Sequence, residues 1–182
     1  RVGRGRAGIT MESGWKAGQQ AVEDEQGDGT IEAMCNVMAK IFLEGVGASS
    51  GPLCATAFLR AGKAVSNSLN RDGTGIAEWL AAASQGIQDR GRAAPGDKTM
   101  SDAWVPAVEA ANEAAKAGKS TLDVLIAARD GAEAGMKATA AMKSRRGRSA
   151  KLGERSIGHL DPGSASTFVS LRPLAEAPPA NA

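Results

Sequence analysis

Thr30 is followed by IEAMCNVMAKIF over residues 31–42, and this stretch decides the fold class. Ile31, Met34, Met38, Ile41 and Phe42 recur at three- and four-residue intervals, which puts them on one face of a helix. Thr30 stands where an N-cap belongs. The same spacing returns at Ile76, Trp79, Leu80, Ala83 and Ile87. It returns again at Leu122, Leu125, Ala128 and Ala132, behind a Ser120/Asp123 capping pair. Asp161-Pro162 reads as an N-cap followed by proline at the first helical position, predicting a helix over 163–171. Weaker patterns predict helices over 9–24, 52–68 and 102–117, and the effect of Pro106 on the last is left open. No stretch alternates with period two, so no sheet is expected. Similar helices joined by short turns predict an all-α, up-and-down bundle.

Composition agrees. Of 182 residues 36 are Ala and 23 Gly, while aromatics make up 3% and Tyr is absent, so small side chains must do much of the packing. Met and Trp at helical spacing read as core rather than as a cofactor box. With 22 basic and 20 acidic residues the net charge is +2, which excludes a polybasic nucleic-acid binder by composition. Cys35 and Cys54 are too few for a disulfide framework or a zinc site. No apolar run approaches the roughly 18 residues of a membrane span. A soluble protein of a reducing compartment, the cytoplasm, is expected.

Three connections stand out as places for chemistry. Gly45 to Pro52 (GVGASSGP) precedes a predicted helix. Glycines admit close backbone approach and a helix start offers amides and positive dipole, so the stretch reads either as an anion site or as a tight turn. Asp89 to Met100 is about a dozen residues long, a length at which loops tend to be functional. Its Asp97 and Lys98 either meet a charged ligand or pair with each other. Lys143 to Asp161 carries Lys143, Arg145, Arg146, Arg148, Lys151 and Arg155 against one Glu154. Guanidinium groups match phosphate oxygens. Nucleic acid is the competing ligand, but no aromatic stacking platform accompanies these arginines, and a solvated loop is the bland alternative. The lone His159 has no Ser or Cys pattern beside it, so no catalytic triad is read, and no catalytic residue is assigned.

Taken together, GASSGPL (47–53), PGDKTM (95–100) with Asp102 and WVP (104–106), then Gly147-Arg148, LGERSIGH (152–159) and Asp161-Pro162-Gly163, resemble the nucleotide-binding L subunit or L domain of the dihydroxyacetone kinases. The resemblance runs from about Gly8 to Leu174. It implies an antiparallel barrel of eight helices with ADP or ATP at one end. It implies a K subunit as partner, holding the triose on a histidine, and in some systems a phosphohistidine subunit of the phosphotransferase system. Residue by residue, it implies that Ser49 and Ser50 lie against the phosphates, that Gly91 and Met100 line the base or ribose side, and that Arg148 approaches the phosphates. Asp161, Pro162 and Gly163 close the pocket, and Gly8, Ile9 and Thr10 begin the phosphate-side helix. Residues 175–182 are expected to be a flexible tail.

The N-terminus departs from this pattern. The family carries Gly-Asp-x-Asp-His-Gly just before that helix, and its aspartates, with another upstream, hold Mg²⁺. Here the stretch reads Gly3-Arg4-Gly5-Arg6-Ala7-Gly8. Arg4 and Arg6 stand at the metal-ligating positions, and guanidinium does not ligate Mg²⁺. Residues 1–7 therefore read as an altered or truncated segment, with the family's first helix missing. A barrel lacking one helix would expose apolar surface and be completed by another chain, so a homodimer is among the expected partners. Two functions stand side by side: a kinase subunit, and an inactive or regulatory module that keeps the fold without the metal aspartates. A nucleic-acid partner is not expected.

Overall fold

A computed structural model of the chain describes residues 6–24, 29–47, 49–66 and 72–176, with the side chains of residues 6–10 and of Arg148 excepted. Seven α-helices follow one another among these residues: α1 Arg6–Asp24, α2 Ile31–Gly45, α3 Ser50–Ala64, α4 Gly73–Gly91, α5 Ser101–Lys116, α6 Thr121–Ala138 and α7 Pro162–Glu176. Short 3-10 helices cover Thr139–Ala141 and Arg148–Ser156. No described residue is in a strand, so the all-α class holds.

The caps read from sequence are formed. Thr30 Oγ1 accepts from the Ala33 amide at 3.1 Å, and Ser120 Oγ accepts from the Asp123 amide at 3.2 Å. Several boundaries moved. The helix expected over 52–68 starts at Ser50 and stops at Ala64, where the Val65 and Ser66 amides turn back to the carbonyls of Gly62 and Lys63. Pro52 sits in its first turn, where a missing N–H costs nothing. The last helix runs past Leu171 to Glu176 and buries Ala175, so residues 175 and 176, expected in a flexible tail, are helical; residues 177–182 lie outside the described residues. The basic loop 143–161 contains a 3-10 segment, broken at Gly153 with φ 57°.

The helices form two compact units, residues 1–70 with 78–92, and residues 71–77 with 93–182. In the first, α1 packs on α2 and α2 on α3. Trp15, Phe42 and Phe58 meet edge to face with ring centroids 5.2–5.6 Å apart, as the ring quadrupole favours. Cys35 and Cys54 are both free and buried here, and burial pushes the Cys54 thiol up to about 12, so neither is a reactive thiolate. In the second unit α5, α6 and α7 pack on one another. Ala103, Ala107 and Ala111 on α5, with Val124, Ala128 and Ala132 on α6, are fully buried.

The α5–α6 contact is set by missing side chains. A Cβ on Gly135 would fall on the Asp102 carbonyl oxygen and 2.6 Å from the Pro106 ring; one on Gly131 would fall on the Pro106 carbonyl. Helix α5 continues through Pro106, whose absent N–H leaves the carbonyl four residues back without its usual donor. That carbonyl, of Asp102, is the one Gly135 approaches. Gly135→Ala should destabilise the chain by about 1–3 kcal/mol through overpacking against backbone that has no rotamer to change. Thermal melts of the two proteins followed by circular dichroism check this.

Candidate functional site

The two units hold different parts of the expected site. In the first unit, Gly8, Ile9 and Thr10 lie in the first turns of α1, and Arg6 is its opening residue, two positions ahead of the expected start at Gly8; Arg4 lies outside the described residues. Gly91 is the exposed last residue of α4. Ser49 is exposed and Ser50 half-buried at the start of α3, while Ala48 lies outside the described residues. The sequence around Gly51 forces the close turn. A Cβ there would land on the Val46 carbonyl oxygen and 2.6 Å from that of Phe42, so only glycine lets α3 start hard against the end of α2. Ser49 makes no side-chain cap, and the first turn of α3 carries no acidic residue. With Pro52 lacking an N–H, the amides of Ser50 and Gly51 are the donors of this terminus. An uncapped N-terminus of this kind attracts an anion.

In the second unit Met100, Asp161 and Gly163 converge. A Cβ on Gly163 would stand 2.9 Å from Asp161 Oδ2, 3.1 Å from the Met100 amide nitrogen and 3.3 Å from Met100 Cβ. Asp161 caps α7 as its sequence predicts: Oδ2 accepts from the Ser164 amide at 2.8 Å, and the exposed Pro162 opens the helix. Burial holds the Asp161 carboxyl above the usual carboxylate range, against the opposing pull of its hydrogen bonds to Ser164 and Gly163, and the Asp102 carboxylate adds to the rise. Arg148 opens the 3-10 segment.

Four residues that sequence reading did not assign to the site organise this cluster. Asp102 accepts from the Gly96 amide with Oδ1 (2.5 Å) and from the Thr99 amide with Oδ2 (2.7 Å). Thr99 Oγ1 in turn accepts from the Ser101 amide at 3.2 Å. Asp102 thus reaches back to the Thr99 amide as in one half of a capping box, and the Thr-x-x-Asp spacing that signals it was present in the sequence. Ser164 Oγ donates to the Thr99 carbonyl at 2.6 Å, tying the start of α7 to the start of α5. Thr139 Oγ1 accepts from the Asp161 amide at 2.9 Å and donates to the Met136 carbonyl at 2.6 Å.

Asp97 and Lys98, expected to meet a ligand or each other, instead bind elsewhere in the unit. Asp97 Oδ2 accepts from the Ala94 amide at 3.1 Å and from Arg146 Nε at 3.2 Å. Lys98 is buried, and its Nζ donates to the carbonyls of Met142 (3.0 Å) and Ser156 (2.5 Å). No signal in the local sequence separates this lysine from the exposed ones. His159 is exposed.

These carboxylates do not fit a metal ion. Asp102 and Asp161 spend their oxygens on backbone amides, and among the described residues no group of three or more His, Cys, Asp and Glu could hold a metal. Arg6, which the resemblance aligns with a metal-ligating position, supplies no lone pair.

The starts of α5 and α7, capped by Asp102 and Asp161 and tied together by Ser164, stand in an all-α unit that also carries the basic segment. The sequence profile of the DAK2 domain matches residues 1–176, and the chain belongs to the DAK2 domain family. Over 133 residues it is 40% identical to the PEP-dependent dihydroxyacetone kinase, ADP-binding subunit DhaL, of Escherichia coli (strain K12), a match covering 73% of this chain and 63% of that protein. Over 169 residues it is 38% identical to the ADP-binding subunit DhaL of PEP-dependent dihydroxyacetone kinase 1 of Listeria innocua, covering 92% of this chain and 78% of that one. The crystal structure of the dihydroxyacetone kinase of C. freundii (native form) superposes with a TM-score of 0.61 at 22% identity, covering 93% of this chain and 34% of that chain, which shows a shared fold.

The hydrogen bonds that hold Asp97 make a pH prediction. The Ala94 amide first, then Arg146, hold its carboxyl below the ordinary 3.8. A folded value below the unfolded one contributes stability that is present above the unfolded value and lost as pH falls through the folded one. Asp97→Asn should therefore lower the melting temperature near neutral pH, by about 1 kcal/mol in stability. The difference from wild type should shrink steadily as pH falls below that of a free carboxylate. Melting curves across acid pH check the sign.

Proposed function

We propose that this chain is the ADP- or ATP-binding subunit of a dihydroxyacetone kinase. In this reading phosphate passes from the bound nucleotide to a triose held on a separate K subunit. The observation that carries it is the convergence of Met100, Asp161 and Gly163 at the joined starts of α5 and α7. Family membership and two relatives named as ADP-binding subunits support the same reading.

Each unit has its own part. In the first, the amides of Ser50 and Gly51 and the hydroxyls of Ser49 and Ser50 meet phosphate oxygens at the positive end of α3. Gly8, Ile9 and Thr10 join the phosphate side, and Gly91 the base or ribose side. In the second, Met100 offers an apolar face to the base or ribose. Asp161, Pro162 and Gly163 close the pocket, and Arg148 neutralises phosphate charge. Charge-assisted hydrogen bonds of this type are about twice as strong as neutral ones. The phosphoryl donor that recharges the nucleotide is either ATP by exchange or a phosphohistidine subunit, and the compartment is the cytoplasm.

A second reading rests on Gly3-Arg4-Gly5-Arg6 and the metal-poor donor set. The chain would bind nucleotide and partner without metal-dependent transfer. Phosphoryl transfer leans on cations to neutralise developing charge, and arginine supplies charge without octahedral coordination.

Native mass spectrometry of the purified chain, with added ADP and with and without EDTA, separates the readings. Retained ADP with Mg²⁺, lost on chelation, is expected of a kinase subunit. Retained ADP that survives EDTA is expected of the metal-independent module. No uptake of ADP or ATP overturns both. In reconstitution with a competent K subunit, the kinase reading expects phosphorylated triose. The regulatory reading expects none, and no gain from the double change Arg4→Asp and Arg6→Asp.

A further inference from the structure

The Lys98 ammonium is a buried cation whose described partners are both backbone carbonyls. The residue is 4% exposed, and its φ of 61° lies in the left-handed region that non-glycine residues rarely adopt. Burying a charge is expensive unless its hydrogen bonds are made, and holding a lysine backbone in this conformation adds strain. The two carbonyls it reaches, those of Met142 and Ser156, lie 44 and 58 residues away in sequence. They are the two feet of the basic segment.

The segment between them is held at the same end by further bonds. The Ser144 amide donates to Ser156 Oγ at 2.9 Å, crossing from one foot to the other, and Ser156 Oγ donates to the Gly153 carbonyl at 2.6 Å. The Arg145 amide donates to the Asp97 carbonyl at 3.1 Å, one residue before Lys98. Beyond the feet, Gly147 and Gly153 take positive φ, and Lys143, Arg145, Arg146, Lys151 and Arg155 are exposed or half-exposed. Lys143 pairs with Glu154 and Arg146 with Asp97, leaving the segment strongly basic. A buried cation beneath a basic segment opposes the charges above it. The fold retains it where carbonyl dipoles solvate it, and the field it adds favours an anion.

We propose that Lys98 is a positioning residue for phosphate binding: its ammonium ties the feet of the basic segment, at Met142 and Ser156, to the loop before α5, and so presents that segment's arginines to a nucleotide phosphate already ordered. This rests on the nucleotide reading above. Preorganisation raises affinity by sparing the ordering cost at the moment of binding.

Hydrogen–deuterium exchange of the full chain without nucleotide, and titration with ADP and with adenosine, test it on wild type, Lys98→Met and Lys98→Arg. In K98M, exchange across 143–157 should rise while that of α5 and α6 holds. The ADP Kd should rise about tenfold, as for a segment competent a tenth of the time. Adenosine, which has no phosphate, should bind both proteins alike, a result that a general loss of structure would not give. K98R, which keeps charge and donors, should restore exchange and affinity in part. If K98M loses its helical circular dichroism, Lys98→Gln, which keeps a side-chain donor but not the charge, is read in its place with the same expectations. Wild-type exchange in K98M, or raised exchange with unchanged ADP affinity, would overturn the role of Lys98. Failure of the wild type to bind ADP or ATP would instead overturn the nucleotide reading, whatever the exchange shows.

Discussion

Gly131 and Gly135 bring the α6 backbone against the Pro106 and Asp102 carbonyls of α5, and the second unit is arranged around that approach. Two helices carrying larger residues there would stand further apart, since interaxial distance follows side-chain size. Asp102 belongs to both sides of the arrangement. Its backbone carbonyl faces α6, and its carboxylate holds the amides of Gly96 and Thr99. The loop before α5 is thereby fixed to the helix pair, and Ser164 fixes α7 to the same loop through the Thr99 carbonyl. Small residues in the core and polar residues at its end are one device seen from two directions.

The polar end is built almost wholly from side chain to backbone bonds. Asp97, Lys98, Asp102, Thr139, Ser156, Asp161 and Ser164 each satisfy a main-chain amide or carbonyl. In a low-dielectric setting such networks specify a unique arrangement when complete and cost heavily when broken. Asp97, Lys98 and Ser156 bond directly to the segment that carries the basic residues.

Membership of the DAK2 domain family sits beside an N-terminal stretch whose chemistry differs from the family pattern. In the second unit the carboxylates of Asp102 and Asp161 accept from backbone amides. The two proposed readings therefore differ in one physical quantity, the divalent charge held at the phosphates.

The sequence by itself determined the helices, because a 3.6-residue apolar period with Thr30, Ser120 and Asp161 at the caps leaves the backbone few alternatives. It also located the glycine-rich turn before α3 and the basic segment, since glycine, proline and arginine mark such places by their own chemistry. Motif order identified Met100, Asp161 and Gly163, and the fold brings these three together. Only the tertiary structure decided where the charges of Asp97 and Lys98 go. Their partners at Arg146, Met142 and Ser156 lie more than forty residues away, and a lysine's neighbours in sequence say nothing of carbonyls that another turn delivers. It also decided that α5 continues through Pro106, with the carbonyl that proline leaves without its usual donor facing Gly135 on the next helix.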